Sequence, residues 1–169
     1  TDMEKFAYKM EDMLREKLSL YEEILALLDR EKGYIVDMDL DSLWKVTEEK
    51  QKLARSIERV KERILYLAEQ QSVLHESEPG SFYLDRIIDS LPVPKNKKSE
   101  MKTTQIELDA LKKKVTEAAA ENKAYVEEYL AVIHDVLSTA TEKPTERKYG
   151  SSGSVKQDPY GNHFIRAEV

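Results

Sequence analysis

Residues 101–140 read MKTTQIELDALKKKVTEAAAENKAYVEEYLAVIHDVLSTA. Met101, Leu108, Leu111, Val115, Ala118, Tyr125, Tyr129, Val132 and Val136 follow a seam of three- and four-residue steps, and only Thr104 and Asn122 are polar within it. A stripe of this period runs along one side of an α-helix and buries itself against other helices rather than a sheet. The stretch sets the fold class as all-α.

Two earlier stretches repeat the pattern. Ala7, Leu14, Tyr21 and Leu28 fall one heptad apart, flanked by Met10, Leu18, Ile24 and Leu25. They predict a first helix over about 4–32, with Gly33 as its stop. The seam Val46, Lys50, Leu53, Ile57, Val60, Ile64, Leu67, Gln71, Leu74 predicts a second over about 39–75. Asp39 can cap it, its carboxylate accepting from the free N–H groups of the first turn, with Met38 and Leu43 placed as a hydrophobic staple. Lys50 and Gln71 interrupt the seam, where they set register or carry their heads to solvent.

Pro79-Gly80 ends the second helix. A short helix over about 81–91, apolar at Phe82, Leu84, Ile87, Ile88 and Leu91, is closed by Pro92 and Pro94 and is expected to lie across one end of the seam as a lid. The last helix, about 97–139, starts at a cap supplied by Asn96 or Ser99. Beyond Pro144 the periodicity fades, and Gly150, Ser151, Ser152, Gly153, Pro159 and Gly161 mark a flexible tail over 141–169. The architecture implied is an elongated antiparallel three-helix coiled-coil-like bundle, residues 1–140, with a short extra helix and a flexible C-terminal tail.

Composition agrees. Charged residues make up 36% of the chain, with five Gly and five Pro, the profile of amphipathic helices with solvated faces. Three Phe and one Trp suit a thin seam better than a thick core. The net charge is −6, and the basic runs Lys95, Lys97, Lys98, Lys102 and Lys112–Lys114 are diluted by Glu100, Glu107 and Asp109. That reads as solvated helix faces and gives no basic stripe for nucleic acid. Cysteine is absent, which excludes disulfides. No apolar run approaches the roughly 20 residues that span a bilayer, and no signal-peptide pattern opens the chain. The expectation is a cytoplasmic protein without membrane insertion.

Chemistry-bearing motifs are weak. Asp37, Asp39, Asp41 and Glu48 match positions of a calcium loop, but Ser42 stands where glycine must make the sharp turn, and Trp44 and Val46 already follow the helical pattern. Helix capping accounts for these carboxylates more simply. His75, His134 and His163 lack the spaced partners of a di-metal bundle. No nucleophile elbow, P-loop or dinucleotide fingerprint occurs. The chain reads as a non-enzyme with no cofactor and no metal.

Two features rise above this background. Beside the seam at Tyr125, Tyr129, Val132 and Val136, a second stripe runs through Val126, Leu130, Ile133 and Leu137. A helix apolar on two adjacent stripes has more apolar surface than a three-helix seam needs. Either the short helix covers it or a partner helix docks there, and both hold if the short helix is a displaceable cover. The second feature is the tail, where Tyr149-Gly150, Tyr160, Phe164, Ile165 and Val169 form either a frayed end or a short motif that orders on binding.

These residues resemble a family. Leu18–Leu28 with Glu22 and Glu23, then Asp39-Leu40-Asp41-Ser42-Leu43 followed by Glu48, Glu49, Lys50, Leu53 and Ile57, are similar to the FlgN-type flagellar export chaperones. The Tyr149-Gly150 pair in the tail fits as well, and the resemblance covers roughly residues 10–150. It implies a cytoplasmic, non-enzymatic chaperone that binds C-terminal helical segments of hook–filament junction proteins and delivers them to the export gate. By that resemblance the end of the last helix, at Val126, Tyr129, Leu130, Ile133 and Leu137, and the tail would hold cargo, Tyr149 would be a gate contact, and Gly150 beside it a partner-binding residue. Residues 150–169 depart from the family pattern. The residues alone also suit a self-associating coiled-coil or adaptor protein, and they leave the oligomeric state open.

Overall fold

The computed structural model describes residues 2–70 and 82–141. Among these there are four helices and no strand: α1 (Asp2–Val36), α2 (Leu40–Gln70), α3 (Phe82–Ser90) and α4 (Lys95–Thr141). The chain divides into two compact units, Thr1–Ala131 and Val132–Val169. The all-helical expectation holds, with helix packed on helix. The expected tail lies outside the described residues apart from Thr141, as do residues 71–75 of the second helix.

The core of the first unit forms where four apolar stripes meet. Phe6, Ala7, Met10 and Leu14 come from α1, and Val60, Ile64, Leu67 and Ala68 from α2. Ile87, Ile88 and Leu91 arrive from α3 and the residue after it, and Met101 from α4. Each set follows the three- and four-residue steps that put side chains on one helix face. Burying one such Leu or Ile contributes about 1.5–3 kcal/mol relative to exposure.

Polar pairs show how the helices run. Glu16 meets Arg63 at 2.9 Å and Arg30 meets Glu49 at 3.6 Å, so numbers rise along α1 as they fall along α2. Glu11 meets Lys97 at 3.5 Å and Lys32 meets Glu121 at 2.8 Å, so α1 and α4 rise together.

The end of α1 corrects the expected stop. The helix passes through Gly33 to Val36. It closes where the Met38 N–H donates to the Ile35 carbonyl at 3.2 Å and the Asp39 N–H to the Tyr34 carbonyl at 3.0 Å. That pair of bonds is a Schellman closure, with Met38 in the left-handed region at φ 56°. Glycine would favour that position, and methionine holds it at some conformational cost. Met38 thus ends α1 and is half-exposed. Gly33 carries the entropy of glycine inside a helix, and a Cβ there would meet nothing within 4 Å. Gly33→Ala is therefore expected to stabilise the protein by about 0.5–1 kcal/mol, read as a higher urea midpoint. An unchanged or lower midpoint would show that the helix is not continuous there.

Asp39 does cap α2. Its Oδ1 accepts from the Ser42 N–H at 3.1 Å and its Oδ2 from the Ser42 hydroxyl at 2.5 Å. These bonds hold its carboxyl below the usual carboxylate range. Residues 40–48 are helical, so the carboxylates there do not lie on a loop.

One expectation about the later helices fails. α4 starts earlier than expected, directly after Pro94, whose carbonyl accepts from the Lys98 N–H at 3.1 Å. Asn96 and Ser99 thus lie inside the first turns and do not cap. The short helix packs at one end of the first unit, with Ile87, Ile88 and Leu91 in its core. Only residues 91–94 separate α3 from α4, which ties α3 to the start of that helix, where Asp89 meets Lys102 at 2.6 Å.

Candidate docking face

Within the first unit three helices are locked in register by a buried polar network. Asn122 of α4 is buried, and its Nδ2 donates to the Leu28 carbonyl at 2.8 Å and to Glu31 Oε2 at 2.9 Å, both on α1. The other carboxylate oxygen of Glu31 accepts from Lys50 of α2. The polar breaks in two seams, Lys50 and Asn122, therefore converge on one buried carboxylate. One turn above, the Lys32 ammonium lies 5.5 Å from the centre of the Tyr125 ring and pairs with Glu121. The Glu121 carboxylate holds the Lys32 amine above its usual range.

This lock places α4 within the first unit, as far as Ala131. The contacts of Leu28 and Glu31 with Asn122 and of Lys32 with Glu121 put Val36, the last residue of α1, level with about residues 125–130 at equal rise per residue. The seam accordingly weakens upward. Asn122 is buried, Tyr125 and Tyr129 are half-buried, and Val126 and Leu130 of the first unit are exposed, Leu130 at 59%. In the second unit Val132, Ile133, Val136 and Leu137 are all exposed, Ile133 least at 42%. The seam expected to stay buried through Val132 and Val136 is thus open there. Tyr149 and Gly150 lie outside the described residues.

The apolar side chains of α4 can take up a helix that brings its own stripe. A hydrophobic face does no covalent chemistry. Its electrostatic surroundings are mild: Lys123 and Glu127 approach to 3.8 Å, and Glu128, His134 and Asp135 are exposed. No group of His, Cys, Asp or Glu suited to a metal ion occurs among the described residues.

A family model described as FlgN protein matches residues 3–157. The chain belongs to the FlgN family. FlgN proteins are flagellar export chaperones, a class that acts by binding other proteins and is not known for enzymatic activity. No curated protein and no solved structure matches the chain. The FlgN match takes in the four helices apart from Asp2, and also Tyr149 and Gly150.

Several residues that shape this FlgN chain were missed in its sequence. Glu11, Lys17 and Glu31 are buried on α1, and Gln105, not Thr104, is the buried polar residue early in α4. All stand at three- or four-residue steps from apolar neighbours: Glu11 between Ala7 and Leu14, Lys17 between Leu14 and Tyr21, Glu31 between Leu28 and Ile35. That spacing was the available signal. A charged residue in a seam position asks for a partner on another helix.

Proposed function

We propose that this chain is a cytoplasmic export chaperone that binds C-terminal helical segments of flagellar hook–filament junction proteins and delivers them to the export gate. Its first unit is a coiled-coil-like arrangement of three long helices, α2 antiparallel to α1 and α4, with α3 packed at the foot. Cargo meets the upper part of α4 at Val126, Tyr129, Leu130, Ile133 and Leu137. Tyr149 and Gly150 act in delivery at the gate.

The observation that carries this reading is the exposure of Val126, Leu130, Ile133 and Leu137 on α4. Family membership supplies the class of partner. A cargo terminus that would self-associate alone is an amphipathic helix without a packing surface, and α4 offers a complementary one. Burial at about 25 cal/mol per Å² of apolar surface drives association. The cost of ordering the segment holds that affinity down, which suits reversible hand-over. No helix among the described residues is long and apolar enough to cross a membrane.

Leu130→Asp and Ile133→Asp test the reading. Both side chains are exposed, so helix content by circular dichroism should hold. Affinity for a synthetic C-terminal peptide of a junction protein should fall by about 100-fold or more, since a carboxylate would be desolvated in the contact. Normal binding by both variants would remove this face from the mechanism. Light scattering tests the competing scaffold reading: a stable dimer without peptide affinity would favour self-association.

A further inference from the structure

The turn between α1 and α2 carries apolar surface that neither the core nor the α4 face uses. Val36, Met38, Leu40 and Trp44 are all exposed there, Leu40 at 73% and Trp44 at 72%. Trp44 is the single tryptophan of the chain. Leu40 and Trp44 stand four residues apart on α2, so their side chains are neighbours on one face. Leu43 and Val46 turn inward instead, Val46 to full burial. The Asp39 cap and the Schellman closure of α1 hold the turn in one conformation. The patch is thus presented on a fixed backbone, and a large side chain offered there loses little entropy on binding.

The rim of this patch is acidic. Residues 37–49 contain Asp37, Asp39, Asp41, Glu48 and Glu49 against Lys45 alone. Asp39 is engaged by Ser42, with Lys45 acting on it, and Glu49 faces Arg30. Among the described residues Asp37, Asp41 and Glu48 have no ion-pair partner. Asp41 precedes Trp44 by three residues and Glu48 follows it by four, so both border the indole.

This charge pattern selects the occupant. An anionic lipid surface or a nucleic acid would be repelled by the rim. A second copy docking through the same patch would bring two acidic rims together. A basic partner gains from both parts of the surface, because buried tryptophan is a frequent anchor of interfaces and the rim steers cations. We propose that the α1–α2 turn is a second docking site, for an amphipathic segment that sets an apolar anchor on Leu40 and Trp44 and places Lys or Arg against Asp37, Asp41 and Glu48. The site uses none of the residues of the α4 face.

Trp44 fluorescence reads the site directly. The probe is a synthetic amphipathic helix of leucine and lysine, compared with the same peptide carrying glutamate for lysine. The lysine peptide should shift Trp44 emission to the blue, and the glutamate peptide should not. The combined Asp37→Asn, Asp41→Asn, Glu48→Gln variant should bind the lysine peptide about tenfold more weakly. Glu107→Gln, Asp109→Asn, Glu117→Gln, which removes equal charge from exposed positions of α4, should bind like wild type, and Leu130→Asp should leave the signal intact. Asp39 is kept throughout because it caps α2. Equal weakening by both triple variants, equal binding of the two peptides, or no movement of Trp44 emission would overturn the proposal. So would a blue shift that grows with protein concentration alone, which would assign the patch to self-association.

Discussion

Glu31→Ala is expected to lower the stability of the first unit by about 2–3 kcal/mol, although the change removes no apolar side chain. The carboxylate is buried and holds Lys50 from α2 on one oxygen and Asn122 from α4 on the other. Without it, Lys50 keeps a charge in the seam, and Asn122 loses one acceptor while retaining the Leu28 carbonyl. The estimate lies below the full cost of breaking a buried pair because the Lys50 side chain is 29% exposed. Urea titrations of wild type and variant at neutral pH measure it. A difference under about 0.5 kcal/mol would mean that the network contributes little to stability. Replacing Glu31, Lys50 and Asn122 together by leucine should recover most of the loss, since apolar packing often equals a buried ion network. The expected penalty is in specificity: helices without polar layers slide and associate more readily, which light scattering would reveal.

Lys17→Met is expected to act in the opposite direction and raise stability at neutral pH by about 2 kcal/mol. Lys17 lies buried on α1, and its amine is lowered from 10.5 to about 8, first by burial and then by the charges of Lys112 and Lys61, with Glu58 opposing weakly. A shift of that size corresponds to about 3 kcal/mol, reduced here because the long stem lets the ammonium reach toward water. Below about pH 8 both folded and unfolded chains hold the proton, and the folded state bears the full penalty. Between about 8 and 10.5 the folded chain has released it while the unfolded chain still binds it, so stability rises with pH. The advantage of methionine should therefore be largest near pH 7 and shrink by about pH 9.5. Comparing variant with wild type cancels Tyr21, Lys32, Lys97 and Lys102, which are all raised and titrate in alkaline solution in the opposite sense. A gap that stays constant with pH would place the Lys17 amine in water.

Much of the fold was legible because apolar spacing repeats over long stretches. Leu108, Val60 and Leu14 were readable as seam residues, and Asp39 as a cap, from local chemistry alone. What escaped depends on distant partners. Glu31 and Lys17 stand at seam spacing, but which groups on the facing helices meet them was not readable from it. The stop of α1 escaped because Met38 adopts a left-handed backbone in a turn where Gly33 looked like the natural breaker. The place of α3 was decided by its short tether to α4, which the apolar pattern of residues 82–91 could not reveal. Of the docking residues, the stripe Val126, Leu130, Ile133, Leu137 was visible as a surplus over one seam, and the four side chains are exposed. Trp44 stands two residues before the seam that begins at Val46, so the period already set this exposed side chain off the buried stripe.

Whether the upper part of α4 receives a helical guest can be read from methyl groups by nuclear magnetic resonance. The full chain, with labelled methyls, would be titrated with a C-terminal peptide of a hook–filament junction protein. The largest shifts should fall on Val126, Leu130, Ile133 and Leu137, while Met10, Leu14 and Ile88 in the core stay still. Saturable peptide binding that leaves those four methyl groups unmoved would contradict the assignment of α4 as the cargo face.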